Sequence, residues 1–408
     1  MAGRDARPGA VDLLARPAIP APRLPPDLVR QLEAHRALAA ELGVQTRPRS
    51  APARPRRRSR LLTLELPALL GAVLIAATGL VVSTATDLPR PQAVGCVQDA
   101  TTVGCLPTVP DAVPVAAAAP LFVDPVTPAA QQVGEWEAQG RTDDAEALRA
   151  IAERPIPLWL GGGPDVTAVV ADYVGRAAAA GAVPLLVAYN IPDRDCGSFS
   201  GGGATDAAGY RAWVADVAAG LGGTPAIVVL EPDAIPHQIT GCAGGDEERF
   251  DLLAGAVDAF AAAGARVYVD AGNPGFPGDP VATAEALERS GVLRAAGFSL
   301  NVANFYTTEA SVEYGTAISD ALGGGVRFVI DTSRNGAGRA PQPADGSPEW
   351  CNPPDRLLGT EPTLETGIPL VDGLLWIKRP GESDGSCRPG EPDAGRWFPD
   401  YALDLVTS

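Results

Sequence analysis

Histidine is nearly absent from this chain: His35 and His237 are the only two in 408 residues. Lysine is scarcer, with Lys378 alone, and aromatic side chains make up only 5%. Each shortage closes off some chemistry. No His-rich metal site can be assembled, and none of the cysteines forms a CxxC pair. A Ser-His-Asp triad would have to recruit His237, and no GxSxG nucleophile turn accompanies it. The glycine runs Gly161–Gly163 and Gly201–Gly203 do not extend into GxxxxGK[ST], so they read as turns rather than phosphate cradles.

Charge is present but unevenly placed. Residues 1–60 carry thirteen Arg against five acids, a balance of +8, which leaves −25 for the remainder of a chain whose total is −17. Between the two regions lies an apolar stretch, 61–86, preceded by Arg54, Arg56, Arg57, Arg58 and Arg60. The positive-inside rule keeps the basic tail, with His35, in the cytoplasm and exports everything after Thr86. The stretch is read as a transmembrane signal anchor. Its apolar core is short for a span of roughly 20 residues, and a cleaved signal peptide ending near Ser83-Thr-Ala85 is the competing reading. Both place the rest of the chain outside the membrane. The six cysteines, Cys96, Cys105, Cys196, Cys242, Cys351 and Cys387, all lie after the stretch, as disulfides in an oxidising compartment would require.

Composition divides the chain into domains. Residues 1–60 form an Arg-, Pro- and Ala-rich tail without a core, with one helical hint at 27–42. Residues 87–120 form a Pro-, Ala- and Val-rich linker. From 121 to 408 the rhythm changes. Seven short apolar runs (156–160, 184–189, 227–230, 267–269, 297–300, 327–330 and 374–377) alternate with stretches of helical period such as 166–180, 206–221 and 247–263. That alternation means α/β with a parallel sheet, and at this length a closed, TIM-like β/α barrel is expected.

The segments after the strands carry the functional reading. The second run leads into Asn190-Ile-Pro-Asp-Arg-Asp195, the third into Glu231-Pro-Asp233 and the fourth into Asp270. The fifth leads into Asn301 and Asn304, the sixth into Asp331-Thr-Ser-Arg334 and the seventh into Lys378-Arg-Pro-Gly-Glu382-Ser-Asp384. One acidic strand end is a helix cap. Six polar ends in succession form a ring around one mouth of a parallel barrel. Acids without histidines suit a hard cation or acid–base work on a neutral polymer. Clustered carboxylates raise one another's pKa and so supply a proton donor at neutral pH. Trp159, Tyr189, Phe276 and Trp350 stand near the strand ends, where aromatic faces can stack on sugars.

The set Tyr189-Asn-Ile-Pro-Asp-Arg-Asp-Cys196, Glu231-Pro-Asp233, Tyr268-Val-Asp-Ala-Gly272, Asp331-Thr-Ser-Arg-Asn-Gly336, Trp350-Cys-Asn352 and Trp376-Ile-Lys-Arg-Pro-Gly-Glu-Ser-Asp-Gly385 resembles glycoside hydrolase family 6, in order, from about Phe122 to Val406. The resemblance implies a distorted seven-stranded parallel β/α barrel and inverting cleavage of β-1,4-glucan without a cofactor or metal. It implies Asp233 as general acid, Asp195 as the carboxylate that keeps Asp233 protonated and reaches water, and Asp384 as a third essential carboxylate held by Lys378 and Arg334. Trp159, Trp350, Tyr189 and Glu382 would contact sugar, Asp270 would bind sugar hydroxyls or support the site, and Asn273 and Phe276 would replace a His and a Trp of the family. The pairs Cys196–Cys242 and Cys351–Cys387 match the family's disulfides, which leaves Cys96 with Cys105. Glu231 is expected to be structural. Little chain separates Asp233 from Cys242 or Cys351 from Cys387, so an open cleft and endo-cleavage are expected. Inversion calls for carboxyls roughly 6.5–9.5 Å apart. A non-catalytic surface glucan receptor on the same barrel is the alternative, and a metal-dependent phosphoesterase a third reading.

Overall fold

A computed structural model describes residues 119–242 and 247–407. The tail, the stretch 61–86, the linker up to residue 118 and the Cys96–Cys105 pair lie outside them. Among the described residues no helix is long and apolar enough to cross a membrane.

Two helices come first, α1 (Pro128–Ala138) and α2 (Thr142–Ala152). The alternation then runs β1 (Leu158–Leu160), α3 (Val166–Ala179), β2 (Leu185–Ala188), α4 (Ala207–Leu221), β3 (Ala226–Leu230), α5 (Ala234–Ile239), α6 (Glu247–Ala262) and β4 (Ala265–Asp270). It continues with α7 (Pro280–Arg289), β5 (Gly297–Leu300), α8 (Thr308–Ala321), β6 (Arg327–Asp331), β7 (Val371–Leu375) and α9 (Pro399–Thr407). Helix starts obey capping chemistry. Thr127, Asp206 and Asp279 each accept a hydrogen bond from a first-turn N–H, and proline stands at N1 or N2 in α1 and α7.

The strands form one seven-stranded parallel sheet in the order β1 to β7. Alternate residues sort to two sides. Leu185, Val187, Ile227, Val229, Tyr268, Val329 and Leu375 build an inner cluster. Leu186, Val228, Val269, Phe298 and Ile330 pack outward against Val170 and Val174 of α3, Val217 of α4, Phe260 of α6 and Ile318 of α8. Both faces are buried, which is why the strands read as continuous apolar runs rather than as alternating ones.

Two expectations need correction. The barrel is not closed: among the described residues no ladder joins β1 to β7. β1 is three residues long, and the Trp159 indole donates to the Ile377 carbonyl at 2.9 Å where a ladder would otherwise stand. The last strand also begins earlier than expected. Asp372 and Gly373 hide its apolar pattern, and the Ile377 N–H turns to the Asp331 carboxylate at 3.2 Å instead of to a neighbouring strand.

At the opposite edge from the polar strand ends, Asp372 accepts from Arg266 at 2.7 Å and from the Tyr268 hydroxyl at 2.8 Å, and also pairs with Arg327. Both arginines are partly solvated, so the network is of moderate strength. Asp372→Asn is expected to lower stability by about 2 kcal/mol, the scale of a charge-assisted hydrogen bond, read as a shift of the urea midpoint at an unchanged m-value.

Candidate active site

The carboxylates at and after the strand ends divide into two kinds. The first kind is buried and binds backbone. Glu231, fully buried, accepts from the N–H groups of Asn190 at 2.9–3.0 Å and Ile191 at 3.0 Å, and so holds the loop that leaves β2. Asp270 accepts from the Asp233 N–H at 2.9 Å, from Gly272 N–H at 3.2 Å and from the Ser299 hydroxyl at 3.0 Å. Asp331 accepts from Ala303, Ser333, Ile377 and Lys378 N–H groups at 2.8–3.2 Å, joining the loops after β5, β6 and β7. Burial raises the pKa of all three, to about 7 for Glu231 and Asp270, against the opposing effect of these N–H donors. Glu231 is structural, as expected.

The second kind faces the cleft. The backbone turns through positive φ at Glu231 (49°) and at Asp233 (68°), so Asp233 faces the cleft while Glu231 stays buried. This is a costly conformation for non-glycine residues and a common one at working sites. Asp233 sits at the N-terminus of α5, and one turn on, His237 faces back. Asp195 arrives from the loop after β2, which the Cys196–Cys242 disulfide ties to the end of α5. One Asp195 oxygen accepts from Ser200 N–H at 2.7 Å, and the other lies 3.6 Å from His237 Nε2. A ligand atom from each of Asp195, Asp233 and His237 falls within a 4.8 Å cluster. Burial, opposed by His237 and aided by the Asp195 charge, pushes Asp233 up to about 6. The three atoms are near enough to share a proton or a cation; the cysteines of the other metal-like groupings are consumed by disulfides.

Asp384 is treated in the opposite way. The Arg334 guanidinium grips it with two bonds, at 2.8 and 3.0 Å, Lys378 Nζ stands at 3.3 Å, and Asn352 N–H donates at 3.0 Å. Burial alone would raise its pKa, but the two cations hold it below the usual carboxylate range. The two cations thus favour the anionic form of Asp384.

Around these acids runs a cleft of about 940 Å³. Trp159, Tyr189, Asn273, Phe276, Asn304, Trp350, Lys378 and Glu382 line it with the three acids. Trp159 meets Tyr189 edge-on at 5.4 Å, and Trp350 meets Phe199 at 6.0 Å. Gly272, at φ 71°, lets the turn fold back; a Cβ there would stand 2.1 Å from the Phe276 carbonyl. Three polar residues of the strand-end ring, Asn301, Arg334 and Asp270, do not line the cleft. Asn301 is buried and spends its amide on Tyr306 and on the Asp331 carbonyl. Arg334 is buried behind Asp384, and Asp270 lies beneath Asp233, so of its two expected roles only support remains.

His237, Phe199, Tyr306, Arg339 and Arg379 also line the cleft and were not anticipated as site residues. His237 carried a signal, its four-residue spacing from Asp233. It packs edge-on to Phe276 at 5.2 Å, and its Nδ1 is 3.1 Å from Cys242 Sγ. The Asp195–Asp233 approach is shorter than the roughly 6.5–9.5 Å of carboxyls that flank a sugar and a water. The separation expected of an inverting pair is therefore not found between Asp195 and Asp233, which stand as neighbours, and any inverting mechanism must bring water to Asp195 from farther off.

A parallel seven-stranded α/β sheet carries paired acids and aromatic walls at its C-terminal rim, an arrangement suited to acid–base work on a sugar polymer. The model of the family described as "Glycosyl hydrolases family 6" matches residues 116–408, and the chain belongs to that family. It is 45% identical over 290 residues to Endoglucanase A of Cellulomonas fimi, covering 70% of this chain and 60% of that protein. It is 43% identical over 264 residues to Endoglucanase 1 of Streptomyces sp. (strain KSM-9), covering 63% and 70%. The endoglucanase Cel6 from Mycobacterium tuberculosis, solved with a methyl-cellobiosyl-thio-cellobioside, superposes with a TM-score of 0.65 at 44% identity, over 71% of this chain and 97% of that one. The chain thus spans less than two thirds of the length of the Cellulomonas relative.

Because its folded pKa is depressed, Asp384 contributes stability that is fully present above the unfolded value of about 3.9 and is lost as pH falls through the folded value. Asp384→Asn strands two buried cations and should cost about 3–5 kcal/mol at pH 7. The difference from the parent should shrink as the pH of the denaturation series is taken below about 3.9; an equal loss at every pH would show that the ion pairs are not its source.

Proposed function

We propose that this protein hydrolyses internal β-1,4-glucosidic bonds of cellulose or a related β-glucan with inversion at the anomeric carbon. The observation that carries the proposal is the setting of Asp233, a carboxyl pushed up to about 6 beside Asp195 and His237 in an aromatic-walled cleft. Its proton passes to the glycosidic oxygen as the bond to the anomeric carbon breaks. A water oxygen takes that carbon from the other side, and the water's surplus proton leaves through solvent to Asp195. Asp384, ion-paired with Arg334 and Lys378, is not a proton-accepting site. The relatives named above are endoglucanases, which supports internal cleavage.

The same proposal places the domain outside the cell membrane, tethered through residues 61–86. The reading rests on the flanking arginines and on two disulfides in the folded domain. A purely glucan-binding role on this barrel is disfavoured, since holding a carboxyl partly protonated does nothing for binding a neutral polymer.

Asp233→Asn should lower kcat on soluble cellulose derivatives by about 10³-fold, within the usual range for a general acid, while oligosaccharide affinity persists; full activity would sink the assignment. Proton NMR of the first product should show the α anomer, and an initial β anomer would overturn inversion. Asp233 must be protonated to act, so kcat/KM should fall as pH rises above about 6. His237→Gln removes the group that opposes the rise in the Asp233 pKa, so it should move this alkaline limb to higher pH.

A further inference from the structure

A second depression, of about 610 Å³, adjoins the cleft and is absorbed by none of the roles above. It lies where α1 meets the segment 392–397, beyond the loop that leaves β7, and it shares two lining residues with the cleft: Glu382 and Gly395. Asp233 and Asp195 stand on the loops after β3 and β2, whereas Glu382 and Gly395 belong to the loops after β7. The cleft therefore runs from the proposed proton donor to these two residues, and the depression continues it outward.

The boundary between the two is low and rigid. Gly395 is exposed at φ 75°, and a Cβ built on it would meet nothing within 4 Å, so no side chain rises from the boundary there. Its N–H donates to the Ser383 carbonyl at 2.9 Å, and Ser383 N–H donates to the Arg396 carbonyl at 2.9 Å, which stitches the segment to the loop carrying Lys378 and Glu382. The Glu382 carboxylate, paired with Arg379 at 2.9 Å, faces both spaces. Beyond it the wall is a chain of neutral and charged hydrogen-bonding groups on an aromatic base. The Trp397 indole donates to Gln132 Oε1 at 3.1 Å, and Gln132 Nε2 donates to Glu135 at 3.0 Å, with Gln131 and Arg396 exposed beside them.

Amides, a carboxylate and a guanidinium around an indole make a surface for neutral, hydroxyl-rich ligands, which offer both donors and acceptors and apolar ring faces. The strongly acidic chain disfavours a polyanion at the same place. We propose that the depression is a distal glucan-binding subsite, which takes sugar units of the same polymer strand that lies in the cleft, so that the protein grips a chain on both sides of Glu382. The inference rests on the glucan-hydrolase reading above. It also bears on mode of action, because a strand that continues past the end of the cleft is held at an internal bond rather than at a chain end.

The test is calorimetric binding to the full domain carrying Asp233→Asn, which prevents turnover. Cellohexaose is expected to bind about tenfold more tightly than cellotetraose. Gly395→Asn, a residue that tolerates positive φ and would raise the boundary, should erase that increment. Gln131→Ala with Glu135→Ala, two exposed changes outside the cleft, should erase it too and leave cellotetraose affinity within about twofold. An increment that survives both variants overturns the subsite. Absence of an increment in the parent overturns it too. If the parent binds neither oligosaccharide and the wild type releases no reducing ends from soluble cellulose, the glucan-hydrolase reading itself has failed.

Discussion

The rim of this sheet is held by buried carboxylates that accept backbone N–H groups from the next loop. Glu231, at the end of β3, holds the loop after β2; Asp270, at the end of β4, holds Asp233; Asp331, at the end of β6, holds the loops after β5 and β7. An open parallel sheet has no ladder between its first and last strands to fix its mouth, and loops alone are its most mobile part. Each of these carboxylates gathers two to four donors, so its burial cost is offset by bonds that set loop positions. The cleft is shaped by this set of contacts. The acid that faces it is positioned by one of them, since the Asp233 N–H is bound to Asp270.

The same arrangement explains what was legible in the sequence and what was not. Strand order, strand spacing and the polar ring could be read from apolar runs of strand length with an acid or amide after each. Which acids face the cleft could not be read from spacing and came only from the family resemblance, because a structural carboxylate and a cleft-facing one both follow an apolar strand run. The distinction is made by backbone turns. Positive φ values at Glu231 and Asp233 send one side chain into the core and the other into the cleft, and no residue type announces them. At Asn301 the same happens: a positive φ of 65° turns the amide into the loop that it stabilises. His237 was undervalued because its neighbour Asp195 is distant in sequence and is brought to it by the Cys196–Cys242 disulfide.

The charges at the site are graded rather than simply clustered. Two cationic partners hold Asp384 below the usual carboxylate range; burial pushes Asp233 up, opposed by the His237 imidazole and aided by the Asp195 charge; burial also pushes up Asp270, aided by the Asp233 charge, and Glu231, opposed by its backbone donors. Acids of one rim are thus pushed in opposite directions, Asp384 down and the other three up. The only lysine of the chain belongs to this grading. Lys378 is buried against Asp384 and, with Arg334, balances the anion from inside, and its backbone N–H is a donor to Asp331.

That grading constrains which acid can receive the proton of the attacking water under the proposed mechanism. A base must gain stability on protonation near the working pH. Asp384 would have to give up a two-bond guanidinium contact and the ammonium beside it, so its proton affinity is the lowest of the group. Asp270 and Glu231 have the opposite defect, since they are sealed from the cleft and occupied by backbone donors. Asp195 is left. It lines the cleft, one oxygen is fixed by Ser200 N–H and the other faces His237 at a distance longer than a hydrogen bond. It lies on the same side as Asp233, too close to it for a sugar and a water to fit between them. A proton can reach it only along solvent, which makes water order around Asp195 part of the catalytic apparatus and ties turnover to the loop that the disulfide holds.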